Sequence, residues 1–145
     1  MADSKSEKVL KALFAVLAAA LPEAKVLRND AVPEVIPAGG LVIQRDGDPG
    51  EPEFLFSPST WYFEHRAEVE VFVDLPSAED RDAAFDGIKQ AIAEALAANR
   101  TLGGLVDYAV GENPAPLELS GEGLPGVKAG LISVLLPYDT SDPLT

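Results

Sequence analysis

Few residues in this chain carry the chemistry that catalysis or metal binding needs. Its 145 residues include one histidine and no cysteine. That excludes disulfides, thiolate nucleophiles and cysteine-ligated zinc or iron–sulfur centres, and a multi-histidine metal site within one chain. The single histidine stands in Glu64-His65-Arg66. Neighbouring residues on a strand point to opposite faces, so Glu64 cannot orient His65 as an acid–base partner. His65 shares its face with Ala67 and Val69 and reads as a structural or interface histidine. Glu68 and Glu70 do share a face, but nothing beside them separates their pKa values, so they read as a solvated or lumen-facing row rather than an acid and a base. No Gly-x-Gly-x-x-Gly, Walker A or Gly-x-Ser-x-Gly pattern occurs. Gly39-Gly40 and Gly103-Gly104 read as turn punctuation. No catalytic, metal or cofactor-binding residue is therefore assigned, and no cofactor is expected. Asn99-Arg100-Thr101 matches a glycosylation sequon, to which nothing else in the chain lends weight.

Aromatic residues supply the other candidate chemistry. Trp61, Tyr62 and Phe63, with Phe54 and Phe56 upstream, make up half of the ten aromatics. Three consecutive aromatics on a strand cannot all face one core. Tyr62 is the expected outlier, either contacting a neighbouring subunit or covering a loop of its own domain. Trp61, Tyr62 and Arg66 are thus the candidate subunit-interface residues.

Charge narrows the classes further. With 24 Asp and Glu against 11 Lys and Arg, the net charge is −13 and the pI about 4.3. A sequence-independent nucleic-acid binder needs Lys and Arg against phosphate, and an anionic membrane repels such a chain. The charge is uneven: residues 44–74 carry eight acids and two bases, whereas residues 1–30 carry four acids and five bases. Hydrophobic residues at 47% and a length of 145 fit one globular domain spanning residues 1–145.

The elements that must position these residues follow from periodicity. Lys8–Leu21 has lysines before the apolar run Ala12–Leu21, the outline of a secretory signal, but Asp3 and Glu7 interrupt its basic region. Leu10, Leu13, Phe14, Leu17 and Leu21 fall on one helical stripe, so the segment is read as a packed amphipathic helix ended by Pro22. Ten apolar residues are too few to span a bilayer, and the chain is expected to be soluble and cytoplasmic. Lys25–Arg28 and Leu41–Gln44 are predicted strands, separated by a Pro-rich extended stretch. Asp46–Pro52 reads as a loop, Phe54–Phe56 as a short strand and Ser57-Pro58-Ser59 as a reversal.

From Trp61 to Asp74 the pattern is that of a strand. Ala67, Val69, Val71 and Val73 alternate with Arg66, Glu68 and Glu70, and Phe72 is the exception. Ser77 is a natural N-cap for a second helix with Phe85, Ile88, Ile92 and Leu96 on its buried stripe. Leu105–Val110 and Lys128–Leu136 are predicted strands around a Gly- and Pro-rich loop, Gly111–Gly126. The order implies an α+β fold: two helices packed on one face of a mainly antiparallel β-sheet, with an extended loop and hairpin around residues 30–60.

The succession of segments resembles bacteriophage tail terminator proteins of the minor tail protein U-like family, across nearly the whole chain. Leu27-Arg28-Asn29, Ile36-Pro37-Ala38-Gly39-Gly40-Leu41-Val42-Ile43 and Arg45-Asp46-Gly47-Asp48-Pro49-Gly50 carry the likeness. So do Tyr62–Val71, Arg81-Asp82-Ala83-Ala84-Phe85-Asp86, Leu102-Gly103-Gly104-Leu105 and the closing Asp139–Leu144. The resemblance implies a non-enzymatic virion protein of the tail, assembled in the bacterial cytoplasm. It would form a homo-oligomer, expected as a hexamer, that caps the tail tube protein, stops its polymerisation and offers a surface to the head–tail connector protein. Asp46, Asp48, Glu51, Glu68 and Glu70 are then candidate lumen or loop acids. Six copies would carry roughly −78, and acid lining a channel repels passing DNA, so no specific nucleic-acid or membrane binding is expected. A neck or head–tail joining protein of similar fold is the neighbouring reading, and a small-molecule-binding metabolic enzyme the reading from another class.

Overall fold

The computed structural model describes residues 2–117 and 126–145. Helix α1 (Lys5–Ala20) opens the chain, with Ser4 as N-cap accepting from the Glu7 amide. Strands β1 (Lys25–Arg28), β2 (Leu41–Asp48), β3 (Glu53–Leu55) and β4 (Thr60–Asp74) follow. Helix α2 (Ala78–Ala98) leads to β5 (Val110–Gly111), β6 (Ala115–Pro116) and β7 (Val127–Thr140). The sheet runs β1-β2-β4-β7-β5, with β3 on β4 and β6 on β7; among the described residues only the β1–β2 pair is parallel. The fold is α+β. The centre of the Gly111–Gly126 loop lies outside the described residues.

One face of the sheet holds the helices. Ala67, Val69, Val71 and Val73 meet Leu10, Leu13 and Leu17 of α1 and Phe85, Ile88, Ile92 and Leu96 of α2 in one continuous core. The reverse face has its own small cluster, in which Phe72 packs with Leu41 and Ile43 beneath Ile36 of the extended stretch. This is why Phe72 breaks the alternation of β4: both of its strand faces are apolar at that end. Gly130 of β7 lies under α2, and a Cβ there would come within 2.5 Å of the Phe85 ring.

Four local expectations are corrected. Phe14 is half-exposed, and Val9 takes its place in the buried stripe of α1, because the sheet meets the helix slightly to one side of the face drawn from the sequence. Leu105–Val110 is not a strand. Residues 101–107 turn, Leu102 takes φ 48°, and only Val110 joins β5; Val106 and Ala109 are buried three residues apart, a spacing that no strand face gives. Asp46, Gly47 and Asp48 remain in β2 rather than opening a loop, through a bulge at which Gly47 (φ 70°) passes so close to Arg66 that a Cβ would collide with its carbonyl. Finally, β7 runs through Pro137 to Thr140. The Pro137 carbonyl accepts from the Asp107 amide, so its ring nitrogen faces the same side, past the start of β5, where the ladder needs no donor.

Candidate functional site

His65 is buried at 4% exposure on the helix-side face of β4. Its Nε2 lies 2.6 Å from the Asp46 carbonyl and its Nδ1 2.9 Å from the Tyr138 hydroxyl. A carbonyl only accepts, so Nε2 carries the proton and the tyrosine hydroxyl donates to Nδ1. Burial pushes the Tyr138 hydroxyl up to about 12, which keeps that donor protonated across the ordinary pH range. Both ring nitrogens are thus committed to internal partners. The arrangement anchors β2 to β4 and β7 and leaves no lone pair for a substrate proton.

Asp46 is the centre of a wider polar cluster. The Arg28 guanidinium forks onto both Glu7 carboxylate oxygens at 2.8 Å and reaches Asp46 Oδ1 through Nη2 at 2.9 Å and Nε at 3.2 Å. Asn29 donates to the same Asp46 oxygen and accepts from the Asp46 amide. The Arg28 hydrogen bonds hold the Glu7 carboxyl below its ordinary value. For Asp46 burial pulls upward, but Asn29 and Arg28 outweigh it and bring the group below its ordinary value. Glu7, Arg28, Asp46 and His65 come from four separate segments, and together they pin the start of α1 to the ends of β1 and β2. Nothing local in the sequence marks the cluster.

The remaining candidate residues fall on two faces. Trp61 and Phe63 point to the helix side, where Phe63 lies 5.8 Å from Tyr138, ring centre to ring centre. Tyr62 pairs with Glu53 on the opposite face. It borders a hollow of about 240 Å³ lined by Gly50, Glu51, Glu53, Glu64 and Arg66. Burial, with the negative charges of Asp107 and Glu64, raises its hydroxyl pKa. Arg66 pairs with Glu112 at 2.8 Å and Arg45 with Glu70 at 3.0 Å. The register brings Asp48, Glu68 and Glu70 to the helix-free face, whereas Asp46 turns to the helix side and Glu51 lies exposed in the β2–β3 loop. Two further hollows, of about 310 and 520 Å³, run between α2 and the β5–β6 edge and share Lys89 and Pro114. None of these three hollows is lined by His65. Among the described residues, no three acidic or imidazole side chains gather as a metal site, and no helix is long and apolar enough to cross a membrane.

No family model matches the chain, and no curated protein matches it. Among solved structures, the chain is similar to one from the virion of a native gene transfer agent particle. The identity is 16%, the match covers 87% of this chain and 86% of that one, and the TM-score is 0.48.

Proposed function

We propose that this chain is a structural, non-enzymatic protein of a tailed-phage or phage-like particle that terminates the tail. In this reading a ring of copies caps the tail tube, stops its polymerisation and presents the surface to which the head connector joins. The observation that carries the reading is the helix-free face of the sheet. Asp48, Glu64, Glu68 and Glu70 stand there with Arg45 and Arg66 between them, and the hollow beside Tyr62 adds Glu51 and Glu53 to the same acidic surface. Such a face suits a channel wall: its excess of carboxylates repels phosphate and gives a passing duplex nothing to hold. The sequence resemblance to tail terminators supports the same assignment. Asp48 and Glu68 are the acids we assign to the lumen, since the Asp46 carboxylate is held by Arg28 and the Glu70 carboxylate by Arg45.

Deleting the gene in a particle-producing strain and measuring tails by electron microscopy tests the function. Over-long tails without heads are the expected result. Particles of normal length and infectivity would reject it.

A further inference from the structure

The apolar run of α1 has more hydrophobic surface than the core uses. From Ala12 to Leu21 no residue is polar, yet only Leu13, Leu17 and Leu21 of that run are buried. Ala15, Ala18 and Ala19 face outward with Lys8 and Lys11 at the head of the same face, and Phe14 is left half-exposed beside them. A solvated helix normally fills such positions with charge. Lys8 has no ion-pair partner among the described residues, and Lys11 meets only the exposed Asp3.

The β3–β4 turn shows the opposite features. Phe54, Leu55 and Phe56 are 38%, 39% and 75% exposed, three consecutive large apolar residues at a tip. Phe54 stacks edge-on with Phe56 at 4.9 Å and tilts against Trp61 at 4.7 Å, so the knob is preformed rather than floppy. Glu51 and Glu53 precede it in the chain, and neither has an ion-pair partner among the described residues. The chain therefore carries an apolar knob preceded by two acids and an outward alanine surface headed by lysine, in a molecule that is otherwise strongly acidic.

We propose that the β3–β4 turn of one copy docks on the outward face of α1 of a second copy. Phe56 and Leu55 cover Ala15, Ala18 and Ala19, and Glu51 and Glu53 meet Lys8 and Lys11. Charge complementarity selects the second copy as occupant, because α1 carries three lysines against one glutamate in a chain of net charge −13. The contact is head-to-tail, so it propagates around a closed ring. The proposal rests on the ring-forming reading above and adds the surfaces that make the ring.

Charge reversal with mixing tests it, read by analytical ultracentrifugation across protein concentration and salt. The wild type is expected to associate, more weakly as salt rises. Glu51→Lys/Glu53→Lys and Lys8→Glu/Lys11→Glu should each associate at least tenfold more weakly. An equimolar mixture of the two should recover wild-type association, since every contact in an alternating assembly again pairs opposite charges. Phe56→Ser and Ala18→Arg change exposed positions only and should abolish association while leaving the melting temperature unchanged. Undiminished association in these variants, no recovery on mixing, or a wild type that stays monomeric at millimolar concentration overturns the docking. If the variants still associate and tail length is normal in strains carrying them, the docking alone fails. Over-long tails on gene deletion would then still uphold termination.

Discussion

Replacing Arg28 by Met removes the centre of the α1–β1–β2 cluster while keeping its aliphatic length. Arg28 is 19% exposed and makes four hydrogen bonds to Glu7 and Asp46, whose side chains are 35% and 47% exposed. Well-buried charge-assisted bonds would be worth several kcal/mol together, but solvent screening at this exposure reduces each ion pair to about 1 kcal/mol. The loss at neutral pH is therefore about 2 kcal/mol, to which mutual repulsion of the two freed carboxylates adds a little. For a domain of this size a change of 1 kcal/mol moves the melting temperature by roughly 3 °C, so Arg28→Met should melt about 6 °C lower. The pH dependence identifies the cause. Glu7 and Asp46 have depressed folded-state values, so their stabilisation is fully present above the ordinary carboxylate range and disappears as pH falls through the depressed values. Differential scanning calorimetry should show the gap between wild type and Arg28→Met closing from pH 7 toward pH 3. A gap that stays constant over that interval would show that Arg28 acts by packing, and the electrostatic reasoning would be wrong.

Two other substitutions probe the core and the buried histidine. Tyr138→Phe removes the donor to His65 Nδ1 and should lower stability by about 1–2 kcal/mol in urea denaturation with an unchanged m-value. Because burial raises the Tyr138 value to about 12, wild-type stability present below pH 10 should decline between pH 10 and 12, and Tyr138→Phe should lack that component. Nitrogen NMR should find His65 in the Nε2–H tautomer; the other tautomer would contradict the hydrogen-bond assignment. Ile92, 2% exposed on the inner face of α2, should not tolerate Asp: the variant is expected to aggregate or lose its cooperative transition, and a normal melting curve would remove Ile92 from the core.

The elements most legible in the sequence are those whose signal is local. The alternation Arg66–Asp74 and the Phe85-Ile88-Ile92-Leu96 stripe, with Ser77 as cap, need only neighbours a few residues away, and both match the structure. Val9 against Phe14 could not be settled that way. Both lie on the apolar side of α1, and the position of the sheet chooses between them. Leu105–Val110 misleads for the same reason: its apolar residues suggest a strand, but the core takes Val106 and Ala109 from an irregular segment.

Composition and periodicity by themselves determined the α+β class, the two helices, the long central strand and the absence of cysteine chemistry. These depend on residue type and on repeats of two or 3.6 residues. Tertiary structure alone decided the fate of the polar side chains. It joined His65 to Tyr138 across 73 positions, committed Asp46 to Arg28, and divided the acids between two faces. The physical reason is reach: hydrogen bonds and ion pairs act over about 3 Å, and only the order of strands in the sheet brings distant segments that close.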